Sequence, residues 1–183
     1  MAATFVSFLL FIMACSHSSL ASSSSSVVKE TCAKATAAGD RSDLAPFCVA
    51  TLQSAPGSDA AVDARGLAVI ATNLTLASYT AAYAAAKALQ RRGGWSGRER
   101  AALAACRRLY ADALDVVHST VHALNAGETW AYEEDMGVVL RAATGCEDAF
   151  AGAGAGGDEL PLYKVDVDAI NVATVAVLIV LIL

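Results

Sequence analysis

The chain has 183 residues, 56% of them hydrophobic and only 7% aromatic, with three prolines and a formal net charge of −5. That length suits one domain of ordinary size, and the Ala-, Val- and Leu-rich composition favours helices over a β-sandwich, which needs more turn residues and aromatics. An acidic chain without a basic run is a poor partner for nucleic acid or anionic lipid. The one basic cluster, Arg91, Arg92, Arg98 and Arg100, flanks a Gly-rich turn and reads as a solvated loop.

The stretch "FVSFLLFIMAC" has the length of a secretory apolar core and is too short to span a bilayer comfortably. Small residues in "SLA", Ser19 to Ala21, then supply a cleavage site, although no Lys or Arg precedes the run. Residues 1–21 are therefore expected to be a signal peptide, and residues 22–183 the mature helical domain. Cys15 leaves with the signal. Four cysteines remain, an even number on an oxidising route.

Along the mature chain, a serine tract gives way to two short helical pieces holding Cys32 and Cys48, broken around "AGDRSD". After the linker "SAPGSDA" the spacing predicts a helix from about Asp63 to Gln90. Its expected seam is Leu67, Ile70, Leu74, Ala77, Ala81, Ala84 and Ala88, alternating threes and fours. "SGRE" at Ser96 to Glu99 is a capping box opening a second long helix. Its seam is Leu103, Cys106, Tyr110, Ala113, Val117, Val121 and Leu124, and "NAG" stops it. A third helix starts near Thr129, with Tyr132, Met136, Val139, Ala143, Cys146 and Phe150 inward. The run "VDAINVATVAVLIVLIL" is apolar nearly all round. Its β-branched content suits a strand, but its company suits a buried last helix capped by Asp166 or Asp168. The expected fold is all-α: an antiparallel up-and-down four-helix bundle with an N-terminal helical hairpin.

Four cysteines allow three pairings. In an antiparallel helix pair, residues equidistant from the turn lie side by side. Cys106 precedes Ala126 by twenty residues and Cys146 follows it by twenty. At about 1.5 Å rise per residue both sit roughly 30 Å up facing helices. Cys32 and Cys48 likewise straddle Gly39 and Asp40. The symmetry selects Cys32–Cys48 and Cys106–Cys146 as structural cross-links rather than chemistry.

No constellation for catalysis, metal or cofactor emerges. His118 and His122 share a helix face at a zinc-compatible spacing, but a third ligand is lacking and Ser119 stands where a metalloprotease motif needs Glu. Asp112, Asp115, Glu133, Glu134, Asp135, Glu147 and Asp148 follow polar-face spacing. "GAGAGG" lacks the strand and Lys of a phosphate loop, and "GWSG" lacks the setting of a nucleophile elbow. "NLT" at Asn73 is a glycosylation sequon. The small residues of "AGAGAGG", the spacer "DELPLYKVDVD" and the apolar tail also match the outline of a lipid-anchor signal, which keeps a membrane association open.

The signal peptide, the pair in "ETCAKATAAGDRSDLAPFC", the segment "CRRLYADALD" and the fourth cysteine in "ATGCEDAF" together resemble the plant invertase/pectin methylesterase inhibitor family, over essentially the whole mature chain. The resemblance implies a disulfide-linked bundle that covers the active-site cleft of a secreted carbohydrate-active enzyme. It implies no catalysis and no cofactor. The expected partner is a cell-wall pectin methylesterase in a 1:1 complex in the apoplast; the alternative is acid invertase, towards which "CEDAF" leans. A third possibility is a lipid-anchored wall protein without inhibitory activity. Asp112, Asp115, His118, Glu133, Glu134 and Asp135 are the expected partner-binding positions.

Overall fold

A computed structural model describes residues 25–154 and 160–183, so the expected signal peptide lies outside the described residues. Helix α1 covers residues 25–38. A short 3-10 turn, Ser42–Leu44, leads into α2 (Ala45–Ser54). Four long helices follow: α3 (Ala64–Arg92), α4 (Gly97–Ala126), α5 (Thr129–Gly152) and α6 (Tyr163–Val180). No strand occurs among the described residues.

Local chemistry explains the boundaries. The Asp63 carboxylate accepts from Gly66 N–H at 2.8 Å and opens α3. The capping box forms as its residues predict: Ser96 Oγ accepts from Glu99 N–H, and Glu99 Oε2 from Ser96 N–H at 2.7 Å. Gly127, with φ of 77°, adopts the left-handed conformation that ends α4, a position costly for any residue with a Cβ. Helix α6 departs from expectation. Its N-cap is Leu162, without a side-chain cap, so Asp166 and Asp168 lie inside the helix. Asp168 pairs with Lys164 on the surface at 2.9 Å, whereas Asp166 is buried.

The four long helices form an antiparallel bundle in which α3 packs against α4 and α6, and α5 packs against the same two. Disulfides join Cys32 to Cys48 and Cys106 to Cys146, with Cα atoms 5.8 Å and 4.6 Å apart. The first closes the α1–α2 hairpin and the second ties α4 to α5. The hairpin turn sits against α6 so closely that a side chain at Gly39 would collide with Leu178.

The seams of α4 and α5 are those the spacing predicts, except that Thr120 and Ala123 are buried where Val121 is only half-buried. Helix α3 is the correction. Leu67 is buried, but Ala77, Ala81, Ala84 and Ala88 are exposed; the core face is Ala68, Ala71, Thr72, Thr75, Tyr79, Ala82 and Ala86. Alanines all round this helix make its apolar periodicity degenerate, and burying Tyr79 removes far more apolar area than burying another Ala. The polar atoms on that face all find partners. Thr72 and Thr75 hydroxyls donate to Ala68 and Ala71 carbonyls, and Thr72 also meets Tyr132 Oη at 2.8 Å.

Both diagonals of the bundle are bridged by tyrosine. Tyr79 Oη donates to the Val139 carbonyl at 2.7 Å, joining α3 to α5. Tyr110 Oη donates to Asp166 Oδ1, joining α4 to α6. The two rings meet edge-to-face, centroids 6.0 Å apart. Burial pushes both phenols well above the ordinary tyrosine range, so they remain donors at any ordinary pH. Replacing Tyr79 with Phe is expected to cost about 1 kcal/mol, read as a lower urea midpoint at unchanged slope. An unchanged midpoint would show that the diagonal bond contributes nothing.

Candidate partner-binding surface

The described residues hold no cluster of three metal-ligating side chains. The expected partner-binding residues lie on the outer faces, which the core face of each helix fixes. An α-helix advances about 100° per residue. On α4 the core centres on Cys106, Tyr110 and Val117, so Asp112 and Ser119 emerge on the side nearer α5 and Asp115 points outward. His118 and His122 fall on the side nearer α3. All five are exposed.

On α5 the core face is Tyr132, Met136 and Val139. Asp135 is half-buried on the flank against α4, with Oδ2 3.2 Å from Ser119 Oγ. Ser119 Oγ also lies 2.7 Å from the Val116 carbonyl, so its one proton divides between them. Glu134 faces solvent squarely. Glu133 falls on the opposite flank, towards α6. The fold thus brings Asp112 and Asp135 together along the α4–α5 ridge, leaves the outward-facing Asp115 and Glu134 beside it and separates Glu133 from it. Trp130, at the loop end of this ridge, is 70% exposed, a large aromatic surface that the spacing alone did not single out.

Asn73 is exposed on α3, beside a depression of about 280 Å³ lined by Ala55, Pro56, Ile70 and Leu74. The Thr75 of the same sequon is fully buried and donates to Ala71 O at 3.0 Å.

The molecule belongs to the class of disulfide-linked all-α proteins built as a four-helix bundle with an N-terminal helical hairpin. The chain is a member of the plant invertase/pectin methylesterase inhibitor family, whose model matches residues 26–176. Members of this family are inhibitors rather than enzymes. Two solved structures share the fold. A mutant form of a pectin methylesterase inhibitor from Arabidopsis aligns over 82% of this chain and 97% of its own, with a TM-score of 0.68 at 18% identity. A pectin methylesterase inhibitor from Arabidopsis thaliana aligns over 76% and 88%, with a TM-score of 0.60, also at 18% identity. No curated protein matches the chain in sequence.

Proposed function

We propose that this protein is a secreted, Asn73-glycosylated inhibitor that docks its α4–α5 ridge on a cell-wall pectin methylesterase and blocks the active-site cleft. The observation that carries the reading is the family match across residues 26–176, nearly the whole described chain. Two cross-links suit an oxidising extracellular setting. They also pre-order the bundle, so little conformational freedom is lost on docking. The ridge and the face beside it supply exposed carboxylates at Asp112 and Asp115, which steer association with a complementary basic rim. The family description names invertase as well, which makes acid invertase the second reading.

The deciding experiment titrates the purified protein against pectin methylesterase and acid invertase in parallel at mildly acidic pH. Stoichiometric loss of methylesterase turnover supports the proposal. Loss of invertase turnover alone transfers the function to the second reading, and loss of neither removes both.

The ridge itself gives a sharper prediction. The double substitution Asp112→Lys, Asp115→Lys is expected to weaken inhibition at least about tenfold, some 1.4 kcal/mol. Glu133→Lys, on the other flank of α5, is expected to change it less than about twofold. Equal effects from both would place the interface elsewhere.

A further inference from the structure

Charge on this molecule is segregated along the chain. Residues 64–111, spanning α3 and the first half of α4, carry eight Lys and Arg against the single Glu99, within a chain of net charge −5. Helix α3 contains no Asp or Glu. Glu99 is committed to its capping box. None of the cations from Lys87 to Arg108 forms a salt bridge among the described residues.

Arg91, Arg92, Arg98 and Arg100 are exposed, as expected of a solvated loop. The turn between α3 and α4 is braced: Trp95 Nε1 donates to the Leu89 carbonyl at 2.7 Å, Arg100 Nη1 to the Trp95 carbonyl at 2.6 Å, and the Arg92 guanidinium stacks 5.4 Å over the Trp95 ring. Below it, Lys87 and Tyr83 lie on the flank of α3 that meets α4, and Arg107 lies on the facing flank of α4. Arg107 donates to Gln90 Oε1, and its guanidinium carbon is 5.8 Å from the Tyr83 ring centroid. Between the helices runs an open groove of about 260 Å³ lined by Tyr83, Ala104, Arg107, Arg108 and Ala111. The two alanines leave its floor shallow and wide.

We propose that this α3–α4 groove, with the braced turn above it, binds a linear polyuronate of the kind exposed when pectin loses its methyl esters. Guanidinium forks pair with carboxylates bidentately, and several in a row match a polymer that bears one carboxylate per sugar. Tyr83 lines the groove with the Arg107 guanidinium over its ring, and the stacked pair forms one surface against which a pyranose ring can lie. Charge complementarity selects this occupant: Lys87 and Arg108 are exposed and form no salt bridge among the described residues, and an esterified or neutral glycan would bring them no counter-charge. An anionic membrane fits less well, because the only large apolar side chain in the turn is Trp95, half-buried with its N–H already bonded. The groove lies on the α3 side of α4, away from the Asp112–Asp135 ridge. Its Arg108 and Ala111 stand one turn from Asp112 and Asp115 on α4, and polymer bound there would hold the inhibitor, acting as proposed above, on wall regions already stripped of ester.

The test uses the full chain and no enzyme, so its failure is distinct from a failure of the inhibitory reading. Fluorescence anisotropy of a labelled oligogalacturonate is followed as protein is added at low ionic strength. Saturable binding is expected, lost at high salt as screening demands. A fully methyl-esterified oligomer should bind at least about tenfold more weakly. The variant Lys87→Gln, Arg107→Gln, Arg108→Gln should lose about tenfold or more, with Asp112→Asn unchanged or slightly tighter. Circular dichroism checks that each variant is folded, and Arg91→Gln, Arg100→Gln provides a second removal of charge outside the groove floor. The proposal is overturned by no binding, by equal binding of the esterified oligomer, by binding that survives both charge-removing variants, or by tighter binding to phosphatidylserine vesicles than to the oligomer.

Discussion

Replacing Cys106 and Cys146 together with alanine is expected to lower the unfolding free energy by at least about 4 kcal/mol, more than the same change at Cys32 and Cys48. The pair closes a separation of 40 residues, against 16 for the hairpin pair. Loop-closure entropy gives about 4 and about 3 kcal/mol for loops of these lengths. All four cysteines are fully buried, so the unfilled volume left by alanine is common to both pairs and the difference between them rests on loop length. A domain of this size has only about 5–15 kcal/mol in total, so the variant should sit close to its unfolding threshold at 37 °C. Guanidinium unfolding monitored by circular dichroism reads the loss directly. A loss below about 1 kcal/mol would mean the helices hold their register without the cross-link.

The second large effect is a dependence on pH that runs against the usual carboxylate pattern. Asp166 is 1% exposed, and burial raises its pKa from 3.8 to about 7, with the Tyr110 hydrogen bond opposing and the Glu147 charge reinforcing the shift. The folded state holds this proton more tightly than the unfolded chain. As pH rises from about 4 to about 7, the unfolded chain releases the proton first and the native state is progressively penalised. Stability should therefore fall by roughly 3 kcal/mol across that interval and level off above it. Asp166→Asn, which keeps a carbonyl for Tyr110 to donate to, should flatten the profile over the same interval. A wild-type profile that rises between pH 4 and 7, or one that the amide leaves unaltered, would contradict the assignment. At the mildly acidic pH of the wall setting proposed above, the Asp166 carboxyl stays protonated.

Legibility in the sequence tracked how much the local chemistry forces a single answer. Ser96 and Glu99 specify a helix start with two reciprocal hydrogen bonds, and the cap forms where the motif stands. Helix α5 mixes large inward side chains with charged outward ones, so its apolar period admits one face, and all six residues of its predicted seam are buried. The symmetric spacing of Cys106 and Cys146 about the α4–α5 turn encodes their neighbourhood. Helix α3 defeats the same reasoning because an Ala-rich helix offers several nearly equivalent apolar stripes. The choice falls to Tyr79, whose partner at Val139 is 60 residues away and invisible to a local window. Asp166 is missed for a related reason. An aspartate one turn into a helix reads as a cap or a solvated charge, and only Tyr110, 56 residues earlier, makes its burial tolerable. On the surface, polar spacing identifies exposed carboxylates but not which flank of a helix each occupies. The separation of Glu133 from Asp135 follows only once the core face of α5 is known.

The burial of Thr75 sets a schedule for biosynthesis. A transferase that reads Asn-Leu-Thr must reach the Thr75 hydroxyl, yet in the finished molecule that hydroxyl is sealed beneath α3 and bonded to the preceding turn. The glycosylation proposed at Asn73 therefore requires that this stretch still be extended, before α3 closes over the Thr75 hydroxyl. Slower closure of the bundle would leave more chains glycosylated and faster closure fewer, making occupancy at one asparagine a clock for how quickly the nascent chain folds.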